Sequence, residues 1–199
     1  MDRDSSTRVP IAGRAASTAV PPCARVELVH LTDGPPLRVQ PLRRGDRRTV
    51  QRLFDRLSAE SRLRRFLSPV NALSERDLVF LSDVGGTGHE AVVAMDPRDG
   101  SVAGIARYVQ YHERPGAADV AVAVADELHR RGIGSVLMER LLTCAHANGI
   151  HLLTATTLWE NRAARALLKS AGFRATGSSG AEIEMELELA AAPPQPTIA

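Results

Sequence analysis

An apolar segment that runs into a glycine-containing turn and then into an amphipathic stretch constrains this chain most strongly. The apolar segment is ADVAVAVAD at residues 118–126, and the turn HRRGIG places Gly132 and Gly134 after two arginines. From Ile133 to about Asn148, apolar residues recur at the spacing of one helix face. The pattern predicts a strand, a tight turn and a long helix that begins at the glycines.

The position of the glycines predicts a phosphate-binding turn. A helix N-terminus presents unpaired N–H groups and a positive dipole end, and glycine allows an anion to approach them closely. Arg130 and Arg131 add positive charge. The turn is not a P-loop, because no lysine stands between Gly134 and Ser135, and it lacks the third glycine of a dinucleotide fingerprint. The glycines alone are also compatible with an ordinary helix start.

The rest of the pattern predicts an α+β fold with a mixed sheet. Further strands are expected at RVELVHL, LRVQPL, EAVVAMD, SVAGIARYVQY, IHLLTATT and AEIEMELELA. Further helices are expected after Asp46 up to about Leu57 and at SAESRLRRFL, SERDLVFLS and NRAARALLKSA. The strict alternation of AEIEMELELA places its glutamates on the wet side of an antiparallel strand.

Composition predicts one domain at residues 25–189, between disordered tails at residues 1–24 and 190–199. The tails are rich in Ser, Thr, Ala and Pro, whereas the whole chain of 199 residues is 44% hydrophobic. No apolar run approaches the roughly 18 residues of a membrane span, and no secretion signal is visible. Two cysteines without metal-ligand spacing predict a reducing cytoplasm and no metal site. A net charge of +2 gives no argument for nucleic-acid binding.

Two motifs together carry a resemblance to a known family. VAVADELHRRGIGSVLMERLL, followed by WENRAARALLKSAGF, resembles the GNAT acyltransferase superfamily, whose motifs read Gln/Arg-x-x-Gly-x-Gly/Ala and Asn-x-x-Ala-x-x-Leu-x-x-x-x-Gly-Phe. The matching residues are Gly132, Gly134, Asn161, Ala164, Leu167, Gly172 and Phe173. The opening segment is similar to bacterial GNAT domains related to protein lysine acetyltransferases, and the resemblance covers residues 30–189. It implies the GNAT fold, a mixed and mostly antiparallel central sheet flanked by helices.

The resemblance also implies acetyl-CoA, or a similar acyl-CoA, as acyl donor. The backbone of Val122 and Val124 would bind the pantetheine arm, and Asn161 would contact the CoA. The pyrophosphate would lie against His129, Arg130, Arg131, Gly132, Ile133, Gly134 and Ser135. The alternative for Asn161 is a helix N-cap, and the two roles are compatible.

Three residues depart from the family pattern. His129 stands where Gln or Arg is usual, which keeps a polar contact and weakens a charge. Leu168 stands where a tyrosine often protonates the departing thiolate, so that acid is missing here. Asp119 stands where related protein acetyltransferases often have a glutamate base. The thiolate would then be protonated by water or stabilised by the helix dipole.

Two residues are candidates for the general base. A lysine amine has a pKa of about 10.4 and arrives protonated, so a carboxylate in a partly dry cleft can take the proton. Asp119 is the first candidate, and its alternative is a solvated strand-edge carboxylate. His89 is the second, because a neutral histidine suits base work near pH 7, and its alternative is a solvated loop histidine. Tyr111 to Glu113 end the neighbouring strand and rank lower.

The expected partners are an acyl-CoA and an amine acceptor, either a protein lysine or a small molecule, with no nucleic acid and no membrane. The rival from another class is an acyl-CoA-binding regulatory module without catalysis, and a nucleic-acid module is a distant third. Arginines between residues 43 and 65 would favour an acidic protein surface around the target lysine, or form a solvated helix face. The chain is expected to be a monomer or a homodimer.

Overall fold

Eight strands and five α-helices are present in the computed structural model, which describes residues 21–31, 34–86 and 88–190. The strands are β1 (Glu27–Val29), β2 (Leu37–Pro41), β3 (His89–Met95), β4 (Val102–Gln110), β5 (Ala117–Val124), β6 (Leu152–Leu158), β7 (Arg174–Ser179) and β8 (Glu182–Glu188). The α-helices are α1 (Arg47–Asp55), α2 (Ala59–Phe66), α3 (Glu75–Ser82), α4 (Ile133–Ala147) and α5 (Arg162–Ser170). Only β7 lies outside the segments predicted from the sequence. Its residues RATGSS are all exposed and lack the apolar content that indicates a strand.

All eight strands form one sheet in the order β1-β2-β3-β4-β5-β6-β8-β7. Every neighbouring pair is antiparallel except β5 and β6, which are parallel because α4 connects them as a crossover. The mixed, mostly antiparallel sheet predicted from the sequence is confirmed. The single parallel pair lies near the middle of the sheet, and β5 leads from it to the glycine turn that precedes α4.

The two faces of the sheet carry separate apolar clusters. On one face, Leu137 and Leu141 of α4 are fully buried in a cluster that includes Val120 of β5. On the other face, Leu53 of α1 belongs to a cluster that reaches Ala123 of β5. Side chains alternate along a strand, so the even-numbered residues of β5 face α4 and the odd-numbered ones face α1–α3.

The helices on the α1–α3 face begin at the caps that the sequence indicates. The Asp46 carboxylate accepts the Thr49 N–H at 3.1 Å, and the Ser58 hydroxyl accepts the Ser61 N–H at 3.2 Å. Each such cap stabilises a helix by about 1 kcal/mol. At the other end of the domain, Gly149 has φ +78° and ends α4, as predicted.

The N-terminal boundary differs from the predicted one. Pro22–Ala24 form a short 3-10 helix, and Cys23 packs against the cluster under α4. Arg140 of α4 also donates to the backbone carbonyl of Arg25 at 2.9 Å. The domain therefore includes residues that composition assigned to the first tail, because one apolar side chain there finds a place in the core. The remainder of both predicted tails, residues 1–20 and 191–199, lies outside the described residues.

In the ranges that the structure describes, no helix is both long enough and apolar enough to cross a membrane. The same ranges contain no group of three or more His, Cys, Asp or Glu side chains placed to hold a metal ion.

Candidate active site

The candidate site begins where β5 and β6 separate. The two strands pair only over residues 117–119 of β5 and 152–154 of β6 in the described sheet. Beyond this point β5 continues to Val124 and β6 to Leu158 without facing each other as partners. The gap opens into a cleft of about 710 Å³, a volume typical of small-ligand sites.

The cleft receives the backbone polar groups of alternate residues in β5. The Ala125 N–H donates to the Ala103 carbonyl at 2.9 Å, so the odd-numbered residues direct their backbone groups toward β4. Val122 and Val124 direct theirs toward β6, where the separation of the strands leaves them without a ladder partner. The Val120 N–H belongs to the last bridge, Asp119 with Thr154, and the Val120 carbonyl lies beyond it. This is the backbone arrangement expected for Val122 and Val124, and Val120 adds a third residue that was not predicted.

His129 contacts this edge directly. Its Nε2 lies 2.9 Å from the Val124 carbonyl oxygen. A carbonyl only accepts, so Nε2 carries the proton in this arrangement. The contact occupies the carbonyl of Val124 and leaves the N–H of that residue for a ligand.

The two glycines of the turn have different physical roles. Gly132 is the N-cap of α4 with φ +80°, and a Cβ there would meet nothing within 4 Å. No side chain caps α4, so its first N–H groups are open to the cleft. A Cβ on Gly134 would lie 3.2 Å from Cδ2 of Leu167. Gly132 therefore provides an open anion-sized space, whereas Gly134 allows α4 and α5 to pack closely.

The predicted donor-binding residues converge on this cleft, with one exception. Those that line it are Val122, Val124, His129, Arg130, Gly132, Ile133, Gly134, Ser135 and Asn161. Arg131 is exposed and does not line it. Arg130 has φ +62°, a backbone conformation that non-glycine residues seldom adopt, so the turn orients the two neighbouring arginines differently.

Asn161 combines its two predicted roles in one place. Its Oδ1 accepts the Ala164 N–H at 3.1 Å, which makes it the N-cap of α5. The same residue lines the cleft, with its Nδ2 amide left over for a ligand. The N-cap is confirmed, and the contact with a ligand stays a prediction.

The glycine turn is tied to the helices on the opposite face of the sheet. Glu127 accepts Nε of Arg56 at 2.7 Å, and Asp126 accepts the backbone N–H of Ser58 at 3.1 Å. These contacts join the segment before the turn to the junction between α1 and α2.

Asp119 lies at the last paired position before the strands separate. It faces α1–α3 and lines a second cavity of about 400 Å³ on that side of the sheet. Burial raises the pKa of its carboxyl group from 3.8 to about 6, against the lowering effects of Arg65 and of a hydrogen bond from Thr154. A carboxyl group with this pKa is ionised at neutral pH and remains basic enough to accept a proton.

Thr154 connects Asp119 to Tyr111. The Tyr111 Oη and Thr154 Oγ1 are 2.6 Å apart. Because Thr154 donates its proton to the Asp119 carboxylate, its oxygen accepts from the Tyr111 hydroxyl. Tyr111 is 41% exposed, so this chain of hydrogen bonds runs from a half-buried carboxylate toward solvent.

His89, the second base candidate, lies level with Asp119 across the sheet but farther from the cleft. His89 pairs with Val109, which in turn pairs with Asp119, so two strand spacings of about 4.8 Å separate the two candidates. Its ring stacks on Phe80 at 5.5 Å between centroids, and it lines neither cavity. Burial lowers its pKa to about 4, with a further contribution from Arg107, so the ring is neutral.

The second cavity is joined to the cleft at Arg65 and Ala121, which line both. Arg107 also lines it and is 6% exposed, with Nη1 donating to the Leu81 carbonyl at 2.8 Å. Burial lowers the pKa of Arg107 to about 9, and the charge of Arg65 adds to this effect. One cleft and one adjoining cavity thus meet at β5, with Asp119 on the cavity side.

Comparison with known proteins identifies the family. The model of the acetyltransferase (GNAT) family matches residues 54–173, which is more than half of the chain. The matched range contains β5, which lines both the cleft and the adjoining cavity, together with the glycine turn and α5. The chain belongs to the GNAT acetyltransferase family.

Individual relatives agree with this assignment. Acetyltransferase PA5475 of Pseudomonas aeruginosa is 34% identical over 145 residues, which are 72% of this chain and 77% of that protein. The GNAT domain of S. lividans PAT superposes with a TM-score of 0.76 at 24% identity, over 82% of this chain and 97% of that one. A phosphinothricin acetyltransferase from Sinorhizobium meliloti, solved with acetyl-CoA, has a TM-score of 0.63 at 21% identity, over 76% and 87%. Both structures share the fold.

Within this GNAT domain, the place of the missing tyrosine is filled by an apolar side chain. Leu168 is 6% exposed and lines the cleft, so it offers no proton there. Thr157 of β6 also lines the cleft, and its buried Oγ1 has no hydrogen-bond partner in the described part of the chain. It is a buried hydroxyl in the cleft wall that remains available for a ligand.

Five residues of the GNAT domain's site were not singled out from the sequence: Val120, Thr154, Thr157, Arg65 and Arg107. Val120 and Thr154 follow from strand register, which the sequence does not reveal. Arg65 was one member of a basic stretch that is mostly solvated. Arg107 did carry a signal, because a lone arginine within the apolar strand VAGIARYV needs a buried partner.

Proposed function

We propose that this GNAT domain transfers an acetyl group from acetyl-CoA to a primary amine by direct attack, with Asp119 as general base. The observation that carries the proposal is the position of Asp119. It lies where β5 and β6 separate, on the wall between the cleft and the adjoining cavity, with a pKa of about 6. The cleft would hold the donor and the cavity the acceptor.

The residues that line the cleft fit an acyl-CoA. The backbone groups of Val120, Val122 and Val124 match the amides of a pantetheine arm, which needs donors and acceptors at intervals along an extended chain. The open N-terminus of α4 at Gly132 matches a pyrophosphate. Family membership and the acetyl-CoA complex of the S. meliloti relative support acetyl-CoA as the donor.

In the proposed reaction the residues of the chain move one proton and position two substrates. An alkyl ammonium ion with a pKa of about 10 arrives protonated, and the ionised Asp119 accepts its proton, directly or through one water. The neutral amine then attacks the thioester carbonyl, so a C–N bond forms. The nitrogen loses its second proton to water, and the C–S bond breaks with the thiolate of CoA leaving. Thr154 and Tyr111 provide the path by which Asp119 returns the proton to solvent.

The departing thiolate receives no tyrosine proton in this proposal. Leu168 occupies that place, so water protonates the thiolate. This absence and the shorter carboxylate at position 119 are also what a CoA-binding regulatory module would show. The two functions differ in turnover and not in donor binding.

A protein lysine is the acceptor suggested by the resemblance of the opening segment, and a small-molecule amine is its rival. We further propose a cytoplasmic location, because Cys23 and Cys144 are both free thiols, as is usual in a reducing compartment. A monomer or a homodimer is compatible with either acceptor.

The experiment that tests the proposal is acceptor-dependent release of CoA by the purified protein. We expect release from acetyl-CoA with amines, and a fall in kcat of at least about 100-fold in Asp119→Asn, the magnitude typical of a lost general base. The matched control is Asp99→Asn, which changes an exposed turn aspartate far from both cavities and should retain full activity.

The outcomes separate the alternatives. Full activity of Asp119→Asn would remove Asp119 from the proton transfer and favour His89 or water. Acetyl-CoA binding without release for every acceptor would favour the regulatory module. Absence of acetyl-CoA binding would overturn the proposed function itself.

A further inference from the structure

The cavity beside Asp119 has two positive side chains in an otherwise largely apolar wall. Arg65 comes from the last turn of α2, and Arg107 comes from the middle of β4. We propose that they bind a carboxylate, and that the acceptor is a small amino acid whose amine lies next to that carboxylate. The inference rests on the proposed function and names the class of acceptor for the same site.

Arg65 has hydrogen-bonding capacity to spare. No hydrogen bond or ion pair joins its guanidinium to any other residue that the structure describes, and its Cζ lies 5.1 Å from the ring centroid of Phe66. Burial lowers the pKa of Arg65, and the charge of Asp119 counters this effect. A guanidinium presents five N–H donors in a planar fork that matches a carboxylate. Arg65 is therefore a cation in a confined place that still lacks its anion.

Arg107 is buried more deeply and is only partly satisfied. One of its N–H groups donates to the Leu81 carbonyl at 2.8 Å, at the end of α3. Arg107 also lines the cavity, where the charge of Arg65 contributes to lowering its pKa. Two like charges placed this close destabilise each other, and a nearby anion offsets that cost.

The carboxylates already in the cavity do not fill this need. Asp77 accepts the N–H and the O–H of Ser74 at 2.9 and 2.6 Å, in the capping box that begins α3. Asp119 is the proposed base, and each reaction cycle neutralises it when it accepts the amine proton. A carboxylate on the acceptor would balance the arginines throughout the cycle.

The rest of the wall fits an apolar side chain. Phe66, Val70, Leu73, Phe80 and Val109 surround the cavity, whose volume of about 400 Å³ lies within the range of small-ligand pockets. A protein lysine presents its amine four methylenes from a backbone that has no carboxylate. A free amino acid presents amine and carboxylate on one carbon, which suits a base and two arginines grouped around a single cavity.

The test compares matched acceptors with and without the carboxylate. L-leucine, L-methionine and L-phenylalanine are each compared with their primary amides, and with a lysine-containing peptide, at saturating acetyl-CoA. We expect kcat/KM for the best amino acid to exceed that for its amide and for the peptide by at least about 10-fold, as for a hydrogen bond to a charged group. The amide has the more readily deprotonated amine, so amine chemistry alone would favour the amide.

Substitution of Arg65 provides the second arm. Arg65→Gln should lower kcat/KM for the amino acid by about 10- to 100-fold more than it lowers kcat/KM for the amide. Arg76→Gln, an exposed arginine of α3 that lines neither cavity, should change neither value. Arg107→Lys keeps a positive charge for folding and should reduce the preference for the carboxylate by removing the planar fork.

Three results would overturn the inference. The first is a kcat/KM for the amides or the peptide that equals that for the amino acids. The second is an Arg65→Gln variant that slows the reaction of all acceptors equally. The third is an Arg65→Gln variant in which only the KM for acetyl-CoA rises. Calorimetric binding of N-acetyl-L-leucine and of its amide to the protein–CoA complex does not need turnover. Carboxylate-dependent binding without any turnover would retain the anion site and refute the proposed function, and lack of binding by both would refute the anion site.

Discussion

Asp119→Asn should stabilise the fold at the same time as it stops catalysis. The carboxyl group has a folded-state pKa of about 6, raised from 3.8 chiefly by burial. The folded state therefore binds this proton more tightly than the unfolded state does. The contribution of Asp119 to stability is complete below pH 3.8 and is lost as pH rises through about 6. At neutral pH the ionised carboxylate lowers the free energy of unfolding.

The magnitude follows from that interval. The pKa rises from 3.8 to about 6, and each pKa unit corresponds to about 1.36 kcal/mol, so the gain in the free energy of unfolding at neutral pH is at most about 3 kcal/mol. Asp119 is only half-buried, so solvent screening reduces the expected gain to about 1–2 kcal/mol. For a domain of this size such a gain raises Tm by about 2–8 °C. An asparagine occupies the same volume and carries no charge at any pH.

The assay is thermal unfolding of wild type, Asp119→Asn and Asp99→Asn between pH 4 and pH 8. We expect the Asp119→Asn gain at pH 7.5 to shrink steadily below pH 6 and to vanish near pH 4. Asp99 has a pKa lowered by its hydrogen bond from the Ser101 N–H, so Asp99→Asn should give no gain. Equal or lower Tm for Asp119→Asn at pH 7.5, or a gain that is the same at all pH values, would refute a desolvated carboxylate at this position.

Three further predictions concern the cleft and the base. Because Asp119 must be ionised, kcat at saturating acceptor should fall about tenfold for each pH unit below about 6. Thr154 lowers the pKa of Asp119, so Thr154→Val should move this acidic fall in kcat to higher pH. A pH profile of kcat for both proteins checks this. Gly132→Ala should raise the Kd for acetyl-CoA, measured by calorimetry, by at least about 10-fold. The backbone φ of +80° disfavours a residue with a Cβ by about 1–2 kcal/mol, and the Cβ would fill the space expected for the pyrophosphate. His129→Ala removes the contact with the Val124 carbonyl and should raise the KM for acetyl-CoA by about 2- to 10-fold with kcat unchanged, as steady-state kinetics would show.

The order and type of the elements could be predicted because hydrophobic periodicity and caps are local signals. Asp46, Ser58 and Gly149 mark helix ends through their own side chains or backbone freedom, and the structure confirms each of them. β7 could not be predicted, because its polar residues are held in the sheet by hydrogen bonds to β8 and not by burial. Local propensity contains no information about such a tertiary pairing.

The donor cleft was predictable and the acceptor cavity was not, for the same physical reason. The glycine turn, the N-terminus of α4 and Asn161 are contained in two short segments, and a motif describes each of them. Arg65, Arg107 and Asp119 come from α2, β4 and β5, and their meeting depends on how α1–α3 pack on the sheet. The position of His89 illustrates the limit: the sequence places it near the site, and register places it two strands from Asp119.

Under the proposed function, the alternation of β5 would let one strand serve two substrates. Val122 and Val124 direct backbone groups into the cleft because β6 has diverged, and the odd-numbered residues direct side chains, including Asp119, to the cavity on the α1–α3 face. The separation of the strands would then provide hydrogen bonds to the donor and bring the donor's cleft next to the proposed base. An inserted residue in β5 before Val120 would exchange the two sets, because a register shift of one residue reverses every side chain. Such a variant should lose acetyl-CoA binding and acyl transfer together, whereas Asp119→Asn loses only transfer.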